Sequence, residues 1–481
     1  MLYRRLVESR VREHGDDIVL ADGCRRVSLG ELHRLTWLGV NRLQAGGAAK
    51  GDRVIVVCHN TVETAVSLLA CAAAGCIAVP IHAGYRGQAV RAVQQECGAK
   101  LIINGTWEEA FAAPPQEPAK RPIDWERELV SEEEGCYILY TSGSTGPGKG
   151  IFARQKQVIF CIDAIQKCLC YRKEDKVLGC LPLSFDYGLY QLFLALDAGA
   201  QLCLAESFPI QRLPSLVKQF GITVFPAMAS TMNLLLHTGI WGDAGRDTIR
   251  MLSFTGEEVP EGLFEKLETV FPKAQLIPMY GLSECKRVSI LPADRKDKRE
   301  AGSCGLPLDG VSVRLVDVEE ESGIGELVAE GPNVMEGYWN RDEETRRVFG
   351  LNPATGQRFV RTGDRFRIDE EGFLYFCGRK SRLIKTGGFR FEPEELERCI
   401  SQIPGVIQCR ILGMKHKVYG EQICVCVYGG AEALGQVQEK LAILPSYLPP
   451  CRLIGMDRPF PESRNGKIDV NALRKWIEKN E

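Results

Sequence analysis

The fold is decided by one stretch of the chain, residues 54–103, which reads VIVVCHNTVETAVSLLACAAAGCIAVPIHAGYRGQAVRAVQQECGAKLII. Three short apolar runs predict strands and the two longer segments between them predict helices, at residues 54–58, 61–74, 77–81, 87–98 and 100–103. This β-α-β-α-β order predicts parallel strands in a sheet that helices cover on both faces.

The same pattern continues further along the chain. Short apolar runs that end in polar or glycine-containing turns predict strands at residues 176–181, 201–205, 222–225, 251–255 and 275–279. Beyond about Gly302 the periodicity changes to alternating strands. We therefore predict an α/β fold with a large N-terminal domain, residues 1–378, built of parallel α/β sandwich subdomains and a β-rich subdomain. Residues 379–481 are expected to form a small mobile α+β domain.

Bulk composition limits the classes of function. Of 481 residues, 45% are apolar and 25% charged, which is typical of globular proteins. The chain has sixty basic and sixty-two acidic side chains, so its net charge is −2. This charge favours neither nucleic acid nor an anionic membrane as a partner. The N-terminus has no signal-peptide core, and the nineteen cysteines are scattered without a Cys-x-x-Cys pair. We expect a cytoplasmic protein in a reducing compartment, without a membrane partner.

A second stretch, residues 140–150, reads YTSGSTGPGKG and follows the end of a predicted buried strand. Open α/β sheets bind ligands at the carboxyl ends of their strands. The stretch combines glycines that let the backbone approach an anion, hydroxyl donors and one cation: Gly143, Gly146 and Gly148; Ser142, Ser144 and Thr145; and Lys149. This combination predicts a polyphosphate site.

The phosphate stretch has two interpretations. The spacing from Gly143 to Lys149 matches the Walker pattern Gly-x-x-x-x-Gly-Lys. However, Gly150 stands where a P-loop has the Ser or Thr that holds Mg²⁺. The stretch is therefore either a degenerate P-loop or a different phosphate loop that also contains a lysine.

The chain as a whole resembles the family of adenylate-forming enzymes, which includes acyl-CoA synthetases, aryl and amino acid activating enzymes, and the adenylation domains of peptide synthetases. The resemblance rests on six motifs in family order, at residues 140–150, 280–284 (YGLSE), 325–338, 361–364 (RTGD), 378–392 and 465–467 (NGK). The chain departs from the family pattern at Pro147-Gly148, which replaces x-Pro, and at Ser381, where the hinge residue is usually Asp or Lys.

The resemblance implies an AMP-forming acid-thiol ligase. Such an enzyme joins a carboxylic acid to the α-phosphate of ATP and releases pyrophosphate. It then transfers the acyl group to the pantetheine thiol of coenzyme A or of a carrier protein on another chain. Because two anions must meet, positioning and charge neutralisation do most of the work. The implied catalytic residues are Lys467, which reaches the substrate carboxylate and the α-phosphate, with Ser283 and Glu284; Glu284 would also bind Mg²⁺.

The same resemblance assigns the nucleotide-binding residues. Those that would hold the β- and γ-phosphates are Thr141, Ser142, Gly143, Ser144, Thr145, Gly146 and Lys149. Tyr280 would stack on adenine, next to Gly281 and beside the turn at Gly256 and Glu257. Asp364 would accept hydrogen bonds from the ribose hydroxyls, with help from Arg379. Gly388 would let pantetheine pass close to the backbone after the C-terminal domain has swung.

The identity of the acid is left open by the sequence. In amino acid activating members an aspartate at the position of Asp186 binds the substrate's amino group, but the following Tyr187-Gly188 is atypical of peptide synthetases. An amine-bearing acid and a plain acyl or aryl acid therefore remain equal alternatives. Arg287 would favour a polar or second acidic group if it faces the pocket. The other residues expected to line the pocket are Tyr190, Met228, Thr255 and Met279, and they favour a small or medium acid.

Two remote alternatives to a ligase remain at this point. A P-loop-like ATPase would release orthophosphate and tolerate the change Lys467→Ala. A non-catalytic nucleotide-binding protein would bind ATP without any acid-dependent turnover.

Overall fold

The structure, a computed structural model, describes residues 1–85, 87–104, 130–140, 148–205, 210–237, 239–256, 259, 262–379, 384–391, 393–442, 444, 449–461 and 470–479. No helix in these ranges is both long enough and apolar enough to cross a membrane.

The strands fall into two groups along the chain. Those of the first part are β1 (Ile18–Ala21), β2 (Arg26–Ser28), β3 (Arg53–Cys58), β4 (Ile77–His82), β5 (Leu101–Asn104), β6 (Gly135–Tyr140), β7 (Gly150–Arg154), β8 (Lys176–Gly179), β9 (Gln201–Leu204), β10 (Val224–Ala227), β11 (Met251–Phe254), β12 (Gln275–Tyr280), β13 (Ser289–Ile290) and β14 (Leu306–Pro307). The later strands are β15 (Ser312–Val316), β16 (Gly325–Glu330), β17 (Gly337–Tyr338), β18 (Phe349–Leu351), β19 (Arg358–Ile368), β20 (Leu374–Arg379), β21 (Ile384–Thr386), β22 (Phe389–Phe391), β23 (Val406–His416), β24 (Gly420–Gly429) and β25 (Arg452–Met456).

The helices alternate with the strands over most of the chain. They are α1 (Val11–His14), α2 (Leu29–Ala45), α3 (Val62–Ala74), α4 (Gly87–Cys97), α5 (Gln155–Leu169), α6 (Asp186–Ala198), α7 (Leu213–Phe220), α8 (Ala229–His237), α9 (Leu263–Val270), α10 (Lys296–Glu300), α11 (Asp342–Val348), α12 (Pro393–Ser401), α13 (Ala431–Ala442) and α14 (Val470–Lys479). A π-helical turn (Arg4–Glu8) and a 3₁₀ turn (Ile210–Arg212) are also present.

The predicted α/β fold is confirmed. The elements β3, α3, β4, α4 and β5 occur in the predicted order, and β3 pairs in parallel with both β4 and β5. They belong to a six-stranded sheet with the order β17-β7-β6-β4-β3-β5. A nine-stranded sheet has the order β14-β13-β12-β11-β10-β8-β9-β1-β2, and its central strands are also parallel.

Helix α3 shows how the sequence builds the core between these sheets. The Thr61 side chain accepts a hydrogen bond from the Thr64 N–H and starts the helix, and Gly75 ends it in the left-handed conformation, with φ +65°. Because the helix is apolar around its circumference, nearly all of its residues are buried. The largest hydrophobic cluster joins α2, α3, α5 and α6 to one face of each large sheet.

Beyond these sheets the chain becomes rich in antiparallel strands, in agreement with the change in periodicity near Gly302. Strands β15, β16, β19 and β18 form a sheet that β20 extends along β19. Another sheet follows after residue 383, with the order β22-β21-β24-β23 and with β25 parallel to β24. The division into two domains at residue 378 stays a prediction.

Candidate active site

A cavity of about 460 Å³ opens where several parallel strands end. Strand β4 contributes Ile81 and His82, and β6 contributes Leu139 and Tyr140. The segments that follow β11 and β12 line the opposite side. The ends of strands from both large sheets therefore meet around one space, which is the edge at which open α/β sheets bind ligands.

Many of the residues expected at a nucleotide and acid site line this cavity. They are Lys149, Asp186, Thr255, Gly256, Gly281, Ser283, Glu284, Arg287 and Gly388. Five others are buried and are not among its lining residues: Tyr190, Met228, Met279, Tyr280 and Asp364. The remaining predicted residues lie outside the described part of the chain: Thr141, Ser142, Gly143, Ser144, Thr145, Gly146, Glu257 and Lys467, with Ser381 of the hinge. Nothing is described of the Arg379 side chain either.

The strands on either side of the phosphate stretch distinguish its two interpretations. Strand β6 ends at Tyr140, β7 begins at Gly150, and the two pair antiparallel with these residues opposite each other. A P-loop instead leads from a strand directly into a helix. A Cβ at position 150 would lie 2.8 Å from Ile138 Cγ2, so the Ser or Thr of a P-loop would be crowded here. The stretch therefore belongs to a strand-to-strand connection and is not a P-loop.

Part of the cavity wall is a compact turn between Tyr280 and Val288. The Val288 N–H donates to the Tyr280 carbonyl, at 2.9 Å. The buried amide of Asn333 donates to the carbonyls of Cys285 and Arg287, at 3.0 and 2.9 Å. These bonds close the turn and fix the side chains that it presents to the cavity.

Lys286 is the most deeply buried cation of this turn. Its Nζ donates to Asp186 Oδ2 and to the Asp186 carbonyl, both at 3.0 Å, and lies 4.0 Å from the centroid of the Tyr190 ring. Lys286 has φ +55°, a left-handed conformation that is uncommon for residues other than glycine. Burial lowers the pKa of Lys286 to about 8, although the Asp186 carboxylate opposes this change.

Arg287 is also buried, with 3% of its surface exposed. Its Nη1 donates to Thr255 Oγ1 at 2.6 Å, and its guanidinium lies 5.5 Å from the centroid of the Tyr187 ring. Within the described residues it forms no ion pair with a carboxylate. Burial lowers the pKa of Arg287, since an isolated charge is poorly solvated there.

Two polar atoms of this cluster lack hydrogen-bond partners in the described part of the chain. They are Asp186 Oδ1, an acceptor, and Arg287 Nε, a donor. Such atoms are rare in native proteins and indicate a ligand, an ion or water. The cluster of Asp186, Lys286 and Arg287 has one negative and two positive charges, so its net charge is positive.

Glu284 belongs to the same turn and also lines the cavity. Its Oε1 accepts a hydrogen bond from Tyr338 Oη at 2.9 Å, and its backbone carbonyl accepts one from the Met335 N–H. It forms no ion pair with any described residue. Mg²⁺ is usually bound by one or two carboxylates together with substrate phosphates and water. The described residues contain no group of three metal-ligating side chains, and the Glu284 carboxylate is an oxygen ligand of the kind that Mg²⁺ prefers.

Lys149 lies close to the same tyrosine. Its Nζ is 4.9 Å from the centroid of the Tyr338 ring and 3.1 Å from Glu344 Oε2 of helix α11. The side chain is about one third exposed, so this ion pair is worth less than about 1 kcal/mol. Lys149 can therefore leave Glu344 at little cost when a more highly charged anion enters.

Tyr280 and Asp364 are joined to each other. The Tyr280 hydroxyl donates to Asp364 Oδ2 at 2.6 Å, and the Tyr280 ring packs edge-on against Phe366. Burial, together with the Asp364 carboxylate, raises the pKa of Tyr280. Their neighbours Gly281, Thr362 and Gly363 line the cavity directly. The adenine and ribose roles of Tyr280 and Asp364 stay predictions.

Gly388 brings the last part of the chain to the cavity. It lies in the turn between β21 and β22 with φ +83°, and a Cβ there would come within 2.6 Å of Met228 Cε. Gly388 and Phe389 both line the cavity. Met228 is thus adjacent to Gly388 and is not part of the cavity lining.

Sequence reasoning missed two residues of the site. Lys286 was recognised only as a cation near the expected pocket wall, because most lysines point to solvent. Tyr338 was recognised only as the last residue of the motif at residues 325–338, and no function was predicted for it. The run Glu284-Cys-Lys-Arg was the available signal, since two adjacent cations in an otherwise apolar turn are costly to bury.

A family model supports the class of protein that this fold and site define. The model for AMP-binding enzymes matches residues 7–339. The chain belongs to the AMP-binding enzyme family. The predicted resemblance to adenylate-forming enzymes is confirmed.

Individual relatives include both synthetases and ligases. The chain is 24% identical to gramicidin S synthase 2 of Brevibacillus brevis, over 98% of this chain and 11% of that protein. It is 28% identical to the probable CoA ligase CCL8 of Humulus lupulus, over 72% of this chain and 62% of that protein. The chain thus spans about a tenth of the first relative and about three fifths of the second.

Solved structures of VinN are also similar to this chain. The crystal structure of VinN is 27% identical and covers 79% of this chain and 98% of VinN, with a TM-score of 0.69. A complex structure of VinN with L-aspartate has the same identity and coverage, with a TM-score of 0.68.

Proposed function

We propose that the protein activates a small amino acid with a second carboxylate as its acyl-adenylate and transfers the acyl group to a pantetheine thiol. The observation that carries the substrate class is the buried, net positive cluster of Asp186, Lys286 and Arg287 in the cavity wall. A buried guanidinium with only neutral partners is costly, and an anionic ligand removes that cost.

The two unsatisfied atoms match such a substrate. Arg287 Nε can donate to a carboxylate, and Asp186 Oδ1 can accept from an ammonium group. The reported complex of VinN with L-aspartate supports this substrate class, because aspartate has both groups in addition to the carboxylate that would react.

The chemistry follows from the charges around the cavity. An oxygen of the substrate carboxylate attacks the α-phosphorus of ATP, and the bond from that phosphorus to the pyrophosphate oxygen breaks. Lys149 would stabilise the leaving pyrophosphate, and Lys467 would stabilise the charge that develops at the α-phosphate. Mg²⁺ held at Glu284 would neutralise phosphate charge.

The second step uses a pantetheine thiol. Its sulfur attacks the acyl carbon, the bond from that carbon to the AMP oxygen breaks, and the thiol proton passes to solvent. Gly388 would lie beside the pantetheine arm, since it lines the cavity and has no side chain. The thiol would belong to coenzyme A or to a carrier protein.

One observation favours a second candidate, an amine-free dicarboxylic acid. Lys286 already donates to Asp186 Oδ2 and neutralises the carboxylate. A substrate amine could therefore use only Oδ1 and would meet a carboxylate that already has a cationic partner. In this case the Asp186–Lys286 pair is part of the pocket wall, and Arg287 alone selects the second carboxylate.

Acid-dependent exchange of pyrophosphate into ATP tests the proposal. We expect L-aspartate or L-glutamate to support the fastest exchange, succinate less, and L-alanine, benzoate and octanoate the least. Fastest exchange with succinate would select the amine-free candidate. If none of these acids raises exchange above the acid-free rate, or if the products are ADP and orthophosphate, the activation of such acids is wrong.

The change Arg287→Met tests the role of the second carboxylate. It should raise the KM for the acidic substrate at least tenfold, since a buried contact between opposite charges is lost. The matched control is Arg295→Met, because Arg295 pairs with Asp297 and Glu371 away from the cavity. Equal KM values in Arg287→Met and the unchanged protein would contradict the assignment.

A further inference from the structure

Tyr338 stands between the two charged groups expected to meet the triphosphate of ATP. Its hydroxyl donates to Glu284 Oε1 at 2.9 Å, and Lys149 Nζ lies 4.9 Å from the centroid of its ring. All three residues line the cavity. The hydroxyl of Tyr338 thus contacts the Glu284 carboxylate, and the Lys149 ammonium group lies over the face of the Tyr338 ring. The negative face of an aromatic ring attracts a cation.

The ring is held in place from two directions. Strand β17 pairs with β7, which places Tyr338 opposite Ile151, and the next N–H, of Trp339, donates to the Gly150 carbonyl at 2.7 Å. From the other side, Thr345 Oγ1 of helix α11 accepts from the Tyr338 N–H at 2.9 Å. The ring of Phe349 packs edge-on against it. Tyr338 is therefore tied to the strand that follows Lys149, and its position is fixed before any ligand binds.

The position of Tyr338 prevents Glu284 and Lys149 from pairing with each other, which a site for a metal-bound nucleotide requires. A carboxylate and an ammonium group that share one small cavity tend to pair with each other, and then neither is available to the ligand. Here Lys149 pairs with Glu344 and Glu284 accepts from Tyr338, so each has a partner that is weaker than a metal ion or a triphosphate.

We propose that Tyr338 is a positioning residue for metal-bound ATP: it orients the Glu284 carboxylate through its hydroxyl and keeps Lys149 apart from that carboxylate with its ring. Without ATP, Lys149 pairs with Glu344, and the triphosphate replaces Glu344 as its partner when ATP binds. The proposal rests on the proposed function, because it takes Glu284 as the metal ligand and Lys149 as a phosphate ligand.

Direct binding of ATP, measured by calorimetry on the whole protein without any acid, tests the proposal. In Tyr338→Phe the Kd for ATP in the presence of Mg²⁺ should rise about fivefold to tenfold, as expected for loss of one hydrogen bond to a charged group. The Kd for ATP in EDTA should not change. The further change Tyr338→Leu should weaken binding in both conditions, because Lys149 then also loses its ring contact.

Two other variants separate positioning from a general structural effect. Tyr375→Phe removes an equivalent tyrosine-to-carboxylate bond, Tyr375 Oη to Asp369 Oδ2 at 2.9 Å. Neither residue lines the cavity, so this change should leave both Kd values unchanged. Glu344→Gln should tighten ATP binding about twofold to fivefold in both conditions, since Lys149 no longer has to leave a carboxylate.

Equal Kd values for Mg²⁺-bound ATP in Tyr338→Phe and the unchanged protein would overturn the positioning role, as would an equal loss in Mg²⁺ and in EDTA. Because these titrations contain no acid, they stay informative when acid-dependent exchange fails. Loss of exchange with these binding shifts intact would contradict the proposed function alone.

Discussion

Lys286 and Arg287 form a cluster with Asp186 that holds two positive charges and one carboxylate. Each of the three side chains is held by a defined element: Asp186 begins helix α6, and the two cations belong to the turn after β12. Breaking a buried ion pair leaves one uncompensated charge, which costs more than the pair itself contributes. The stability of the cavity wall and its selectivity therefore depend on the same residues.

The change Lys286→Met should lower the free energy of unfolding by about 3 kcal/mol, because the Asp186 carboxylate would stay buried without its partner. Urea unfolding measures this loss. The double variant Asp186→Asn with Lys286→Met should recover most of it. The control Lys296→Met removes an exposed lysine that pairs with Glu268 and should cost less than about 1 kcal/mol. Similar losses in Lys286→Met and Lys296→Met would contradict the importance of burial.

At the residue scale, sequence patterns identified most of the cavity lining but not its charge balance. Glu284 and Arg287 were found because they belong to, or lie close after, a motif, and Asp186 was found through the corresponding position in amino acid activating members of the family. The pairing of Lys286 with Asp186 joins residues one hundred positions apart, and no local pattern reports such a contact. Whether Arg287 faces the pocket also depended on the turn, which Asn333 closes from a distant part of the chain.

The turn between β12 and β13 is the element that presents these side chains. It can be so tight only because Gly281 has no side chain: a Cβ there would collide with the carbonyl oxygen of Lys286. The same turn carries Glu284, so a displacement of the backbone would move the proposed metal ligand and the cations proposed to bind the acid together.

Gly281→Ala should therefore raise the KM for both ATP and the acid by at least tenfold and lower the unfolding temperature. Steady-state kinetics and thermal unfolding measure these effects. The matched control is Gly435→Ala in helix α13, where a Cβ would meet nothing within 4 Å. Alanine is favoured over glycine in a helix by about 1 kcal/mol, so this control should be neutral or slightly stabilising. Unchanged KM values in Gly281→Ala would contradict the claim that the turn between β12 and β13 needs a glycine at this position to place its side chains.

The hairpin between β19 and β20 is held by a second charged cluster. Burial disfavours the charged form of Asp369, but hydrogen bonds from Lys298, the Phe373 N–H and Tyr375 Oη outweigh it and lower its pKa to about 2 from an ordinary 3.8. An aspartate with a lowered pKa stabilises the folded state above its unfolded pKa, and the effect is lost as the pH falls towards the folded value.

Asp369→Asn should consequently cost about 1–3 kcal/mol of unfolding free energy at neutral pH, the usual range for hydrogen bonds to a charged group. The difference between the two proteins should shrink as the pH falls from about 4 to about 2, and urea unfolding at several pH values measures it. A difference that stays constant over this range would show that ionisation of Asp369 does not contribute.

At the element scale the alternation of strands and helices was predictable, and β3, α3, β4, α4 and β5 lie within one residue of their expected bounds. The structural class of the phosphate stretch was harder to predict, because its glycine and lysine spacing is compatible both with a P-loop and with a different phosphate-binding loop. The choice between them depended on the direction of β7, and a short apolar run after Gly150 does not reveal whether it forms a strand or a helix.

In the whole molecule, the cavity combines the two large sheets with the turn that contains Gly388. This turn comes from the sheet that follows residue 383, and the resemblance assigns it to the thiol step and not to adenylation. The sequence could indicate this assignment only through a motif, since the contact between Gly388 and Met228 joins residues 160 positions apart.

Gly388→Ala should slow thioester formation at least tenfold and leave acid-dependent pyrophosphate exchange within about twofold, because a Cβ there would press on Met228 and narrow the cavity. Formation of the thioester with coenzyme A, and with a carrier protein that has a free pantetheine thiol, measures the thiol step. Gly435→Ala again provides the control. Equal losses in exchange and in thioester formation would contradict a separate role of Gly388 in the thiol step.

The central claim is that a substrate carboxylate attacks the α-phosphorus of ATP, and the fate of the carboxylate oxygens tests it most directly. The protein is given ATP, a thiol acceptor and an acid labelled with ¹⁸O in the reacting carboxylate, and the products are analysed by mass spectrometry. The account predicts one ¹⁸O atom in each AMP formed and none in pyrophosphate. Label in orthophosphate, with ADP as the nucleotide product, would contradict it.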